Sequence, residues 1–164
     1  MRHIISTLVV NQPGVLARVA GLFSRRGYNI ESIAVGKSEE ANLSRITIVV
    51  EAEEDQVVEQ IEKQLYKLID VVKVNDLPAG ESVERELALI KVNAGSQSRS
   101  EILQIVDIFR AKIVDVSSRA VIVEITGGTE KIEAIIALLK PYGIREIVRT
   151  GQIAILRTPK KGDK

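Results

Sequence analysis

Cysteine and tryptophan are absent from this chain of 164 residues, which also has a single histidine. The lack of cysteine excludes disulfide bonds, thiolate nucleophiles and cysteine-ligated zinc. Aromatic residues make up only 3% of the chain, which leaves few platforms on which nucleic-acid bases could stack. The net charge is +1, from 23 basic and 22 acidic residues, and this balance is not typical of a nucleic-acid-binding protein.

Long apolar runs are missing as well, since no stretch approaches the roughly 18 residues that a membrane-spanning helix needs. From Arg2 on, the chain passes directly into a strand-like pattern without the features of a cleaved signal peptide. We therefore expect a cytoplasmic protein that is not bound to a membrane. With 45% apolar and 27% charged residues, the composition is that of a globular protein of one ordinary domain or two small ones.

The hydrophobic pattern describes the same succession of elements twice. Over residues 1–76, segments of period 2 and of helical spacing follow one another in the order β-α-β-β-α-β. Residues 77–83 contain proline and glycine and read as a linker, residues 84–158 repeat the order, and residues 159–164 form a frayed tail. In the second repeat, Ser98 and Glu101 have the spacing of a capping box. The sequence therefore predicts an α+β chain of two ferredoxin-like βαββαβ domains.

The first predicted strand is apolar on both faces, with Ile4 and Leu8 on one and Ile5 and Val9 on the other. In a βαββαβ unit the two helices cover one face of the sheet, and we expect the other face to have no cover from its own chain. A sheet that is apolar on both sides needs a second cover or a continuation. This pattern predicts self-association through the sheet.

The segment Asn11-Gln12-Pro13-Gly14 lies between the first strand and the first helix. A helix N-terminus presents unpaired backbone N–H groups and a partial positive charge, and a glycine lets a ligand approach them closely. This arrangement suits a carboxylate, including that of a free amino acid. A turn that only ends a strand accounts for the same residues, with asparagine as cap and proline at the first helical position.

Asn29 enters the second strand, where its carboxamide could both donate to and accept from a ligand. From this segment alone, a helix end followed by a turn asparagine is the better explanation. No nucleophile with a neighbouring base can be assembled, because cysteine is absent, histidine occurs once and the serines fall in turns and caps. The residues thus favour a sensor of a small anion that carries out no chemistry.

Residues 11–18 resemble the ligand-binding turn of ACT domains, which are βαββαβ amino-acid sensors. Residues 22–33 are similar to the small, regulatory subunits of acetohydroxyacid synthase (acetolactate synthase), and so are residues 43–48, 60–65 and 83–87. The similarity extends along the whole chain; it is densest over residues 1–90 and looser after Asn93.

The resemblance implies a homodimer in which the N-terminal ACT domains join their sheets and bind valine, or a related branched-chain amino acid, at their interface. The implied ligand contacts come from two chains: from one chain Asn11, Gly14, Val15 and Leu16, and from its partner Asn29 and Ile30. A pocket that discriminates by one methylene gains only about 1–3 kcal/mol, so leucine and isoleucine remain open.

The resemblance also implies that this chain is not catalytic alone. It would activate a large catalytic subunit and make it sensitive to valine, which is feedback inhibition in branched-chain amino-acid biosynthesis. The large subunit of this thiamine-diphosphate-dependent transferase would carry thiamine diphosphate, Mg and FAD, and we expect no cofactor and no metal in the present chain.

The second half has Asn93-Ala94-Gly95 where the first has Asn11-Gln12-Pro13-Gly14, so the ligand site is not transferred to it. Its expected role is structural or in contact with the large subunit. A DNA-binding regulator would need a helix-turn-helix segment, and a free-standing enzyme would need a catalytic set. The sequence contains neither pattern.

Overall fold

The structure of the protein is a computed structural model that describes residues 2–52 and 55–159. The chain divides into two compact units. The first contains the described residues up to Val83 together with those from Gln152 on, and the second is Glu84–Gly151.

The first unit has the predicted βαββαβ order. Its elements are β1 (Arg2–Val10), α1 (Val15–Arg26), β2 (Ile30–Lys37), β3 (Leu43–Glu51), α2 (Asp55–Leu65) and β4 (Val71–Asp76). The strands form an antiparallel sheet in the order β2-β3-β1-β4, so that β2 and β4 are the edges.

The second unit repeats this order. Its elements are β5 (Ser82–Asn93, which begins at the boundary between the units), α3 (Arg99–Ile108), β6 (Lys112–Val116), β7 (Ala120–Gly127), α4 (Thr129–Leu139) and β8 (Ile144–Arg149). A 3-10 turn, Lys140–Tyr142, joins α4 to β8. The strand order β6-β7-β5-β8 matches that of the first unit, so the predicted α+β fold with two ferredoxin-like units is confirmed.

Each sheet packs its helices on one face. In the first unit, Ile5 and Val9 of β1 are buried in one core cluster with Val19 and Phe23 of α1. In the second, Ile90 of β5 shares a cluster with helix residues of both α3 and α4. These contacts follow from the two periods in the sequence, because alternate strand residues meet the apolar stripes of the helices.

The second face of the first sheet is covered by the end of the chain, which corrects the expectation that its own chain would leave this face bare. After Gly151, whose φ is +81°, the chain runs on into β9 (Ile153–Leu156). The Gln152 amide donates to Ser32 Oγ at 2.9 Å, and the Arg157 amide donates to the Glu81 carbonyl at 2.8 Å. The side chain that meets the sheet is Ala154, which packs on a small cluster formed by Ile4, Val49 and Leu77.

The compact units divide the end of the chain differently from the expected domain ranges, which stay a prediction. The sequence assigned residues 84–158 to the C-terminal domain, whereas the segment from Gln152 on belongs to the first unit. The expected linker, residues 77–83, begins with Leu77, which is buried and whose amide donates to the Ile4 carbonyl at 2.8 Å. Of the expected frayed tail, Pro159 is exposed, and residues 160–164 lie outside the described residues.

A turn with unpaired amides at the start of the first helix

The predicted ligand turn joins β1 to α1. Its backbone is held at the base, because the Asn11 amide donates to the Asn42 carbonyl at 2.8 Å and the Gln12 amide donates to the Val10 carbonyl at 3.0 Å. Gly14 precedes the first helical residue and has a φ of +86°, which is the left-handed region that L side chains rarely adopt. The glycine is thus required by the path of the turn.

The N-terminus of α1 has no cap from a described side chain, and its first turn contains no acidic residue. The Val15 amide makes a long bond of 3.4 Å to the Gln12 carbonyl. The amides of Leu16 and Ala17 donate to no residue that the structure describes. Unpaired amides and the helix dipole together give this end of α1 a local positive potential, to which a carboxylate is attracted.

The side chains around this turn divide by burial. Val15 is 3% exposed and belongs to the core of the unit, so only its backbone faces the turn. Leu16 is 46% exposed and Asn11 is also exposed. The Asn11 carboxamide makes no hydrogen bond within the described part of the chain. The turn therefore offers one free carboxamide, two free amides and one exposed aliphatic side chain.

An ion pair that the sequence analysis did not find flanks the turn. Arg18 Nε lies 2.7 Å from Asp70 Oδ2, and the Asp70 side chain is only 13% exposed. Arg18 Nη1 lies 3.0 Å from the position that a Cβ on Gly14 would occupy. Asp70 also accepts from the Val10 amide through its backbone carbonyl at 2.9 Å. A local signal existed for Arg18, four residues after Gly14, but none for Asp70, which is distant in sequence.

Asn29 and Ile30 lie at the other end of the sheet. Ile30 pairs with Val50, which pairs with His3 near the start of β1, whereas the Asn11 turn follows Val10 at the end of β1. The distance from His3 to Val10 is seven residue steps, or about 23 Å at ~3.3 Å per step. Asn29 is exposed and Ile30 half-buried against the core. One chain therefore does not bring the two groups of predicted residues together.

The corresponding turn of the second unit is filled by its own side chains. Arg145 donates from Nε to the Asn93 carboxamide oxygen, and Arg99 donates to the Ala94 carbonyl at 2.9 Å. The amides of Ser98 and Arg99 both donate to the Gly95 carbonyl, at 3.2 and 3.0 Å. The carboxamide oxygen of Asn93 is therefore already engaged within its own unit, whereas that of Asn11 is not.

Within residues 2–52 and 55–159, no group of three or more histidine, aspartate or glutamate side chains is arranged to hold a metal ion. In the same ranges, none of the helices has the length and hydropathy required to span a bilayer.

Comparisons with known proteins agree along the chain. A family model described as "AHAS small subunit-like ACT domain" matches residues 5–73, and one described as "Small subunit of acetolactate synthase" matches residues 85–158. A probable acetolactate synthase small subunit of Archaeoglobus fulgidus is 55% identical over 161 residues, which cover 98% of this chain and 100% of that protein. The acetolactate synthase small subunit of Bacillus subtilis is 55% identical over 157 residues, covering 96% of this chain and 91% of that protein.

A solved structure is equally similar. The crystal structure of the acetolactate synthase small subunit from Thermotoga maritima superposes with a TM-score of 0.90 at 50% identity, covering 98% of this chain and 99% of that one. This likeness extends over both units.

Proposed function

The chain belongs to the family of acetolactate synthase small subunits, and we propose that it regulates a catalytic large subunit by binding valine at the Asn11 turn. It activates that subunit and makes it sensitive to feedback inhibition in branched-chain amino-acid biosynthesis. The chemistry, with thiamine diphosphate, Mg and FAD, belongs to the large subunit. This chain contributes a binding site and no catalytic group.

The observation that carries the proposal is the free N-terminus of α1 beside an unpartnered carboxamide. The ligand carboxylate accepts from the amides of Leu16 and Ala17, where the helix dipole favours negative charge. Gly14 keeps that approach open, and the Asn11 carboxamide is near enough in sequence to fix the orientation of the ligand. Leu16, which is 46% exposed, offers an aliphatic contact for the side chain of valine.

A second copy of the chain completes the site. The two copies form a homodimer by pairing their β2 edge strands. Lys37 of β2 pairs with Ser44, next to the pairing of Leu43 with Val10, so the end of β2 reaches the Asn11 turn. Antiparallel pairing of two β2 edges would set the partner's Ile30 beside Lys37. The partner's Asn29 would then come to the turn from which it is distant in its own chain.

Exposed apolar residues on the β2 edge support this pairing. Ile33 is 36% exposed and Val35 is 51% exposed, on a strand whose outer edge pairs with no strand among the described residues. An edge of this kind is a ready template for another strand.

A ligand at such an interface can regulate the assembly only by differential binding. Valine shifts the equilibrium toward the arrangement that it binds more tightly, and equal affinity for two arrangements would shift nothing. A ligand held between two chains meets this requirement, because any rotation of one chain against the other changes its contacts.

The experiment that tests the site is thermal unfolding of the chain with L-valine, L-leucine and L-isoleucine. A ligand at ~100 times its dissociation constant stabilises the folded state by about 2.7 kcal/mol, which raises the midpoint by a few degrees. We expect a shift with valine that is reduced in Asn11→Ala and unchanged in the matched variant Asn93→Ala. An equal shift in the wild-type chain and in Asn11→Ala, or no shift and no valine inhibition with the large subunit present, contradicts the proposal.

Mixed dimers test the contribution of two chains. Asn11→Ala and Asn29→Ala should each abolish valine binding, because each removes one residue from both sites of the homodimer. A heterodimer of the two variants contains one site with both asparagines intact and one with neither. The isolated heterodimer should therefore bind valine at the Asn11 turn with half the normal stoichiometry, whereas a site within one chain would not be restored.

A further inference from the structure

A cavity lies between the first sheet and the end of the chain, on the face opposite the helices. Its volume is about 260 Å³. We call it the β9 cavity, and its lining comes from four parts of the first unit: Ser6, Glu39, Arg45, Asn75, Leu77 and residues 154–156. None of these residues belongs to the Asn11 turn.

One side of the β9 cavity carries opposite charges. Arg45 Nη1 donates to Ser6 Oγ at 3.1 Å, and Ser6 is only 2% exposed. Arg45 Nη2 lies 3.3 Å from Glu39 Oε1, with side-chain exposures of 34% for Arg45 and 72% for Glu39. A backbone hydrogen bond and the neighbouring Arg45 hold the pKa of the Glu39 carboxyl below its usual range, so it is ionised at neutral pH.

A neutral polar group faces the same space. Asn75 stands opposite Ser6 in the pairing of β1 with β4, and its carboxamide has no hydrogen-bond partner within residues 2–52 and 55–159. A half-buried carboxamide in a cavity wall is a free donor and a free acceptor.

The other side of the β9 cavity is aliphatic. Leu77 is 4% exposed and forms the inner wall, while Ile155 at 70% and Leu156 at 48% are large apolar side chains that solvent still reaches. A ligand side chain placed here would remove apolar surface of β9 from water, which is favourable.

We propose that the β9 cavity binds a small aliphatic L-α-amino acid as its zwitterion. The ligand carboxylate accepts from the Arg45 guanidinium, the ammonium group donates to Glu39 and to the Asn75 carbonyl oxygen, and the side chain lies against Leu77 and β9. Pockets for drug-sized ligands measure about 300–1,000 Å³, and the β9 cavity, which is smaller, has the size for a single amino acid.

This site is independent of the proposed valine site and has a different consequence. Because β9 forms one wall, a ligand that binds the closed cavity stabilises the docking of the C-terminal segment on the first sheet by linkage. The site would therefore report amino-acid concentration through the order of residues 152–158 and not through the dimer edge.

The test uses calorimetric titration of the full-length chain with L-leucine and with 4-methyl-2-oxopentanoate, which has the same side chain and carboxylate but no ammonium group. We expect leucine to bind at least tenfold more tightly than the keto acid. Glu39→Gln should weaken leucine binding at least tenfold and leave the affinity for the keto acid unchanged or raised, because the freed Arg45 is available to the carboxylate. Arg45→Met should weaken the binding of both ligands.

Glu39 is exposed, so Glu39→Gln keeps the result interpretable if Arg45→Met fails to fold. Leucine binding to the β9 cavity should also persist in Asn11→Ala, which separates this site from the valine site. The proposal is overturned if leucine does not bind to Asn11→Ala, or if Glu39→Gln changes the affinities for leucine and the keto acid equally. A failure of valine to bind at the Asn11 turn would leave the proposal for the β9 cavity standing. A failure of leucine to bind in the β9 cavity would likewise leave the proposed valine site standing.

Discussion

The two units share one strand order, and among the described residues each leaves two amides unpaired at the start of its first helix, but they differ in whether the asparagine after the first strand is engaged. In the first unit, the Asn11 carboxamide and the amides of Leu16 and Ala17 have no partner among the described residues. In the second, Arg145 donates to the Asn93 carboxamide and Arg99 donates to the Ala94 carbonyl. The fold supplies the same turn twice, and the surrounding side chains decide whether a ligand can use it.

The units also differ in how their sheets are completed. The second unit is one continuous stretch of chain, Glu84–Gly151, whereas the first includes a segment that returns from Gln152 on. The free turn therefore lies in the unit whose other sheet face depends on a distant part of the sequence.

Removal of residues 152–164 should cause the largest difference in stability between the two units. Burial of one large aliphatic side chain is worth about 1.5–3 kcal/mol, and Ile4 and Leu77 would each lose part of their cover, so we expect the first unit to lose roughly 2–4 kcal/mol. Hydrogen exchange under native conditions, resolved by residue, measures each unit separately. A chain that ends at Pro159 is the control, and equal protection of the first unit in both truncations would contradict the role of β9.

The two turn glycines give the next contrast. Gly14 has a φ of +86°, and an L residue there adopts a left-handed backbone at a cost of about 1–2 kcal/mol. Gly95 has no positive φ, and a Cβ added to it would meet no atom within 4 Å. We expect Gly14→Ala to lower the free energy of unfolding by that amount and Gly95→Ala to raise it by up to about 1 kcal/mol.

Urea unfolding of both glycine variants measures these changes. Equal destabilisation by the two substitutions would mean that the turns place the same demand on their backbone. In Gly14→Asp the added carboxylate should also occupy the helix end and abolish the valine response.

The two turn asparagines separate binding from stability. Asn93→Ala removes the acceptor of a hydrogen bond from Arg145 and should cost about 1 kcal/mol with no effect on valine binding. Asn11→Ala removes no hydrogen bond within the described chain, so the free energy of unfolding should change by less than ~0.5 kcal/mol while valine binding at the turn is lost. Chemical denaturation and valine titration of both variants decide between the roles, and a strongly destabilised Asn11→Ala would identify the turn as structural.

The βαββαβ order could be predicted from the sequence because it rests on local periods of 2 and 3.6 residues. The return of β9 could not, since it depends on pairs such as Gln152 with Ser32, which are 120 residues apart. The capping box predicted from the spacing of Ser98 and Glu101 is not formed: Ser98 makes no side-chain capping bond, and Glu101 accepts from the Tyr142 hydroxyl at 2.8 Å.

The candidate site divides in the same way. Asn11 and Gly14 are neighbours in sequence, and their pattern alone indicated a turn before a helix. Asp70 pairs with Arg18 beside that turn but is 52 residues from Arg18 in the sequence, so no local pattern indicated the pair. That Asn29 lies at the far end of the sheet also became apparent only from the strand register.

The smallest expected difference is in the free energy of unfolding and comes from Glu62 of α2. It depends on pH and is confined to the first unit. Burial raises the pKa of its carboxyl above the ordinary value of 4.5, and the negative charges of Asp76 and Glu59 raise it further. The folded state therefore binds more protons than the unfolded state between the two pKa values, so the free energy of unfolding falls as pH rises through this interval. Glu62→Gln should stabilise the first unit at pH 7 and have little effect at a pH below the unfolded pKa.

Glu59→Gln is the matched control on the same helix, with the opposite sign. A hydrogen bond from Lys63 and its positive charge lower the pKa of the Glu59 carboxyl, so ionised Glu59 contributes stability above its unfolded pKa that is lost as pH falls through the folded value. This substitution should weaken the first unit slightly at pH 7. Urea unfolding at pH 3.5 and pH 7, monitored by hydrogen exchange in α2 and α4, measures both substitutions. We expect the two variants to change the stability of α2 at pH 7 in opposite directions and to leave that of α4 unchanged. Changes of the same sign in α2 would mean that the helix responds to its total charge and not to these pairs.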